Sequence, residues 1–145
     1  MLFNQSREQL RKLWLDAWQG HLNNRPLSPL EHELVNIIRL HPEYHSLFEN
    51  EDKLLSRDYL PEQGETNPFL HMGMHQGIHE QLSSGRPKGI RKVYKALCTK
   101  YQDPHEAEHA MMDAFAETLW EAQRDAKMPD EQAYLKRLKK LLTKL

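Results

Sequence analysis

Cysteine is nearly missing from this chain of 145 residues, where Cys98 stands alone. One thiol cannot close an internal disulfide, which excludes the stapled scaffolds of small secreted proteins and fits a core residue in a reducing compartment. Long apolar runs are missing too. None exceeds three residues, as in "LWL", "AMM" and "AFA", so no segment is built to span a bilayer. The opening "MLFNQSREQLRK" lacks the apolar stretch of a signal peptide, and a cytoplasmic protein without a membrane partner is expected. Net charge is nearly absent, at −1, which offers no overall pull on a polyanion. Period-two alternation of apolar and polar residues is absent as well, and with it any sign of a sheet.

Helical punctuation fills the sequence instead. "SPLEHEL" sets Ser28 as N-cap, Pro29 at the first helical position and Glu31 three residues after the cap, a capping box. "NPFLHMGMHQGIHEQL" and "DPHEAEH" repeat the cap-proline arrangement with Asn67–Pro68 and Asp103–Pro104. Leu10, Leu13, Trp14, Ala17 and Trp18 form a stripe at helical spacing, as do Ile90, Val93, Tyr94, Leu97 and Tyr101. The closing "PDEQAYLKRLKKLLTKL" has acids first and lysines last, matching the helix dipole. The pattern predicts an all-α, single-domain, up-and-down helical bundle over residues 1–145. It has about six long helices and one short helix after Pro42. Residues 50–66 form its one long loop, packed on the body through Leu54, Leu55, Tyr59 and Leu60.

Charge is uneven along the chain. Residues 43–65 hold seven acids and two bases, whereas residues 84–102 hold six bases and no acid. Lys88, Arg91, Lys92 and Lys95 fall on one side of their helix, opposite its apolar stripe. The ordinary reading is a solvated face, and the alternative is contact with an acidic partner. No aromatic-basic groove pattern supports nucleic acid as that partner.

Histidine carries the chemistry. Seven of nine lie in "HPEYH", "HMGMHQGIH" and "HEAEH". The last contains H-E-x-x-H, the zinc-peptidase signature, but Pro104 puts His105 in the first turn and Glu106 where it can reach back to cap. A capping glutamate has a structural job, and no downstream segment offers a distinctive third ligand, so a zinc peptidase is not expected.

At 100° per residue, His105 and His109 lie 40° apart among Met112, Ala116, Leu119 and Trp120. His71 and His75 likewise fall with Met74, Ile78 and Leu82, with His79 at the edge and Glu80 turned away. If successive helices run up and down, both pairs meet at one end of the bundle. The expected metal ligands are His71, His75, His105 and His109. Lesser candidates are His41, His45, Glu33, Glu108 and Asp113, with Glu80 a further carboxylate nearby. Imidazole donors without thiolates suit Zn²⁺, Ni²⁺, Cu²⁺ or iron.

Three readings stay open: a bound divalent ion, a structural layer of hydrogen-bonded imidazoles, and exposed histidines without function. An enzyme of the first kind would be a metal-dependent hydrolase or oxidoreductase, with Glu108 or Asp113 taking a proton from metal-bound water. The alternative is a non-enzymatic interaction module working through the basic helix face.

"HPEYH", "NPFLHMGMH", "EAEHAMM", "LWEAQR" and "PDEQAYL", taken in order over about residues 28–138, resemble an uncharacterised bacterial family, domain of unknown function 1841. The resemblance implies a small bacterial cytoplasmic protein and no particular activity. His41, His45, His71, His75 and His109 lie within the matched stretches, and the family supplies no catalytic role for them.

Overall fold

The structure, a computed structural model, describes residues 6–60 and 67–143. It is all-α, and no strand occurs among the described residues. The six long helices are α1 (Arg7–Leu22), α2 (Pro29–Arg39), α4 (Pro68–Ser84), α5 (Ile90–Tyr101), α6 (Pro104–Arg124) and α7 (Glu131–Thr143). The short helix after Pro42 is a 3-10 helix, Pro42–Glu49. The segment expected to be a loop carries a further short helix, α3 (Glu51–Ser56), whose N-cap Asn50 accepts from the Lys53 N–H. Of the rest of that segment, residues 61–66 lie outside the described residues. No described helix is long and apolar enough to cross a membrane.

Caps place the helix starts. Ser28 and Glu31 close the expected box, the hydroxyl accepting from Glu31 N–H and the carboxylate from Ser28 N–H. Ser6 and Gln9 build a second box at the start of α1. Asn67 Oδ1 accepts from the N–H groups of Phe69 and Leu70. These bonds answer donors that a helix start leaves unpaired.

Contacts divide the chain between Gln76 and Gly77 into two compact units. In the first, α1 packs on α2 and α3, and the 3-10 helix packs on α2 and α3. Its core is Trp14, Leu15, Ala17 and Trp18 of α1 with Leu34, Val35, Ile37 and Ile38 of α2, joined by Phe48, Leu54, Phe69 and Met72. A side chain of that size contributes roughly 1.5–3 kcal/mol when buried, so the α1–α2 seam dominates this unit.

Arg11 is also buried there, only 2% exposed. Its Nη1 donates to the carbonyls of Leu54 (3.1 Å), Leu55 (3.5 Å) and Arg57 (2.7 Å), and its guanidinium lies over the Phe69 and Tyr59 rings. Burial holds its pKa below the ordinary arginine value, with Arg7 adding to the effect.

In the second unit α5, α6 and α7 pack pairwise. Ile90, Val93 and Leu97 meet Ala107, Met111, Ala114 and Phe115, with Tyr134, Leu135 and Leu138 closing the core. Tyr134 donates its hydroxyl to Gln81 Oε1 at 2.7 Å. Burial raises its pKa and the Gln81 contact lowers it, with burial the larger effect. α4 ends at Gly85, whose φ of +74° is the left-handed conformation glycine takes at a helix stop. Arg91 seals that end, donating Nε to Leu82 O (2.8 Å) and Nη2 to Ser83 O (2.7 Å).

The buried face of α6 is not the one apolar counting gave. Ala107, Glu108, Met111, Ala114, Phe115, Thr118 and Ala122 are buried, while Ala116 and Trp120 are exposed. Met111 and Phe115 supply the large side chains of that face, with Ala107, Ala114 and Ala122 between them, while Met112 and Leu119 are half-buried at its side. His105 and His109 consequently lie at the margin of the buried face, each half-buried.

Candidate metal centre

The first histidine group grows out of the end of α2. His41 precedes Pro42, which biases it away from helical angles, and it sits at φ −126°, ψ 67°. Its backbone N–H donates to Ile38 O at 3.0 Å and its Nδ1 donates to Ile37 O at 2.7 Å. Four residues on, His45 Nε2 donates to Ile38 O at 2.8 Å, and its ring lies 4.8 Å from that of Trp18. Two imidazoles therefore add second donors to the Ile37 and Ile38 carbonyls at the end of α2, which also accept from the Leu40 and His41 N–H groups. His45, a lesser ligand candidate from the sequence, is committed to that cap and to Trp18.

For His41 the same bond has a chemical consequence. A neutral imidazole that donates from Nδ1 carries its lone pair on Nε2.

His41 faces two histidines of α4. Its ring centroid is 4.9 Å from that of His75 and 5.0 Å from that of His71, and those two are 5.1 Å apart. Tyr44 stacks on His41 at 5.5 Å, its pKa raised by burial and by Glu43. His41 and His75 are almost wholly buried, at 2% and 1% exposure, whereas His71 is half-buried. His41 and His75 offer ring nitrogens within 4.8 Å of each other. Imidazole nitrogens on one tetrahedral Zn²⁺, bonded at about 2.0–2.1 Å, stand roughly 3.4 Å apart, so small ring rotations bring the pair to ligand spacing. Sequence spacing made neighbours of His71 and His75, and the structure sets His41 beside them through a tertiary contact with α4.

The second group belongs to the start of α6. Asp103 caps it, accepting from the Glu106 N–H at 3.3 Å, and Pro104 opens the helix as the sequence indicated. His105 and His109 follow one turn apart, ring centroids at 4.2 Å, and they too offer nitrogens within 4.8 Å of each other. The Glu106 carboxylate does not make the reciprocal capping contact expected of it. It lies 3.8 Å from His109 Nδ1. Glu108, one residue before His109, is buried with Oε1 2.5 Å from His79 Nε2. A carboxylate is rarely buried unless paired, and the His79 partner is a tertiary contact that no periodicity reveals.

The remaining carboxylate candidates stand elsewhere. Asp113 is exposed and lines a cleft between α6 and α7 with Glu117, Arg137 and Lys140. Arg137 donates to Thr118 and Glu121 and pairs with Glu117, which makes that cleft a stabilising ion-pair network. Glu33 is half-buried on α2, and Glu80 is half-buried on α4. Cys98 is half-buried, and its contact adds to the burial that raises the Tyr94 pKa.

The family described as domain of unknown function DUF1841 matches this chain over residues 6–140. No curated protein and no solved structure matches it.

Proposed function

This chain belongs to the DUF1841 family, whose description names no activity, and we propose that it is a divalent-metal-binding protein. The donors are the buried pair His41 and His75 of the first unit, one ring nitrogen from each, and, as a separate pair in the second unit, His105 and His109. The observation that carries this reading is the contact of His41 Nδ1 with the Ile37 carbonyl at 2.7 Å. The Nδ1 proton is spent on that carbonyl, so a lone pair on Nε2 is held in a nearly solvent-free setting beside the His75 ring. Backbone carbonyls orient metal-bound histidines in this way. His41 takes the place that sequence spacing gave to His71, which becomes a flanking ring.

Each pair supplies two neutral nitrogens, one fewer than the three protein ligands usual at catalytic zinc. Metal binding without catalysis is therefore the reading, and the hydrolase and oxidoreductase alternatives fall behind it. Imidazole-only donors suit Zn²⁺, Ni²⁺ or Cu²⁺. They leave the ion's charge uncancelled, and Glu106 and Glu108 on α6 supply nearby negative charge.

The test is thermal. An ion at about a thousandfold its Kd stabilises the fold by about 4 kcal/mol. At about 2–4 °C per kcal/mol for a chain of this size, chelation should lower the melting temperature of protein purified without an affinity tag by on the order of 10 °C. His41→Ala and His75→Ala should each remove most of that shift, and His71→Ala should keep most of it. Identical melting with chelator, without it, and with added Zn²⁺, Ni²⁺ or Cu²⁺ refutes metal binding. A chelator effect unchanged in both His41→Ala and His75→Ala refutes the assignment of that pair.

A second reading has one observation in its favour. Lys88, Lys92 and Lys95 are exposed on α5, as a surface for an acidic partner requires. Arg91, expected to join them, is taken up by the end of α4.

A further inference from the structure

Glu106 is the glutamate of the H-E-x-x-H stretch, and neither capping nor peptide hydrolysis accounts for where its carboxylate lies. Its N–H goes to Asp103, which fixes Glu106 in the first turn of α6. Its side chain then runs along the helix surface to His109, three residues on, where Oε1 is 3.8 Å from Nδ1. Residues three apart on a helix are surface neighbours, and this pair uses that spacing in a set direction: carboxylate against Nδ1, with Nε2 on the opposite side of the ring. Nε2 of His109 is enclosed by protein, with under 1 Å² of accessible surface. Glu106 itself is 61% exposed, so burial costs its side chain little.

We propose that Glu106 is a positioning residue for His109. Its negative charge beside Nδ1 favours the tautomer with the proton on Nδ1 and keeps the lone pair on the enclosed Nε2. The Ile37 carbonyl does the same for His41 from a different helix end. In the first unit a backbone oxygen selects Nε2, and in the second a side-chain oxygen does. At 3.8 Å the contact is longer than a hydrogen bond and acts through charge. The inference rests on the metal reading for its function, though the tautomer itself can be read in metal-free protein.

The experiment has two arms. In metal-free protein, imidazole ¹⁵N shifts of His109 should report Nδ1 protonated and Nε2 unprotonated near pH 8. Glu106→Ala should move His109 to a tautomer mixture, and so should Glu106→Gln, which keeps the shape of the side chain and removes its charge. In the second arm, Zn²⁺ affinity by chelator competition should fall about 10–100-fold in Glu106→Ala, the range for loss of an outer-shell partner, and by a similar factor in Glu106→Gln. A cap defect alone predicts loss of apo melting temperature without a tautomer change. An unchanged ¹⁵N pattern in Glu106→Ala overturns the proposal whatever the metal does. A tautomer shift with parental Zn²⁺ affinity overturns its role in binding. A parent that binds no Zn²⁺ but shows the tautomer preference overturns the metal reading and leaves the Glu106–His109 assignment standing.

Discussion

Replacing Arg11 with methionine tests whether a buried guanidinium holds the first unit together. Arg11 donates at good distance to Leu54 O and Arg57 O and more weakly to Leu55 O. A hydrogen bond involving a charged group contributes roughly 1.5–3 kcal/mol net, so the two short ones represent about 3–6 kcal/mol. The rings of Phe69 and Tyr59, 5.1 and 5.5 Å from the guanidinium carbon, add about 0.5–1 kcal/mol as cation–π contacts. Methionine regains part of this, because it fills the space and removes the several kcal/mol spent on desolvating a cation.

The balance is a loss of about 3 kcal/mol, or on the order of 10 °C in melting temperature. Melting should be followed with chelator present, by far-UV circular dichroism and by fluorescence. Trp14 and Trp18 both lie on α1, against Arg11's own unit. Arg11→Lys should fall between parent and methionine, since an ammonium cannot both fork to carbonyls and lie flat on a ring. If Arg11→Met melts within about 1 °C of the parent, desolvation cancels the bonds and the clamp contributes nothing.

Two further outcomes follow from surface features. Glu31, bonded first to Arg25 and then to the Ser28 N–H, has its pKa lowered from 4.5 to about 2. Its contribution is whole above about pH 4.5 and fades as pH falls toward 2. The melting difference between parent and Glu31→Gln should therefore shrink over that window, and a constant difference down to pH 2 refutes it. If Lys88, Lys92 and Lys95 are a solvated face, RNA or DNA should bind at physiological salt with Kd of about 10⁻⁴ M or weaker. Submicromolar, salt-sensitive binding lost in the triple Lys→Glu variant would promote the second reading above the first.

Helix existence was legible from local chemistry, because cap, proline and stripe all act within a few residues. Ser28–Pro29–Glu31, Asn67–Pro68 and Asp103–Pro104 each start a helix where the sequence placed one. α3 escaped because six residues make no periodic stripe. Arg11 drew no expectation beside the Leu10–Leu13 stripe, because its burial depends on carbonyls more than forty positions away. The histidine pairs were legible as i,i+4 neighbours. Which face of α6 turned inward was not, because Met111 and Phe115, with alanines and a partnered Glu108, took the place counted for Met112, Leu119 and Trp120. The place of His41 beside α4 was hidden for a related reason. Proline correctly marked it as a helix end, but nothing local says that its ring turns toward α4.

On the proposed metal reading, His41 joins two jobs whose rates are linked. Its ring closes the last turn of α2, and its other nitrogen would serve an ion, so the final turn would not fray without withdrawing a donor. Helix ends open far more often than cores, at a small fraction of the global unfolding free energy. An ion held there would exchange on the timescale of that local opening, far faster than whole-protein unfolding. The protein would then hold metal tightly at equilibrium while still surrendering it promptly to a competitor, a kinetic lability set by a helix terminus.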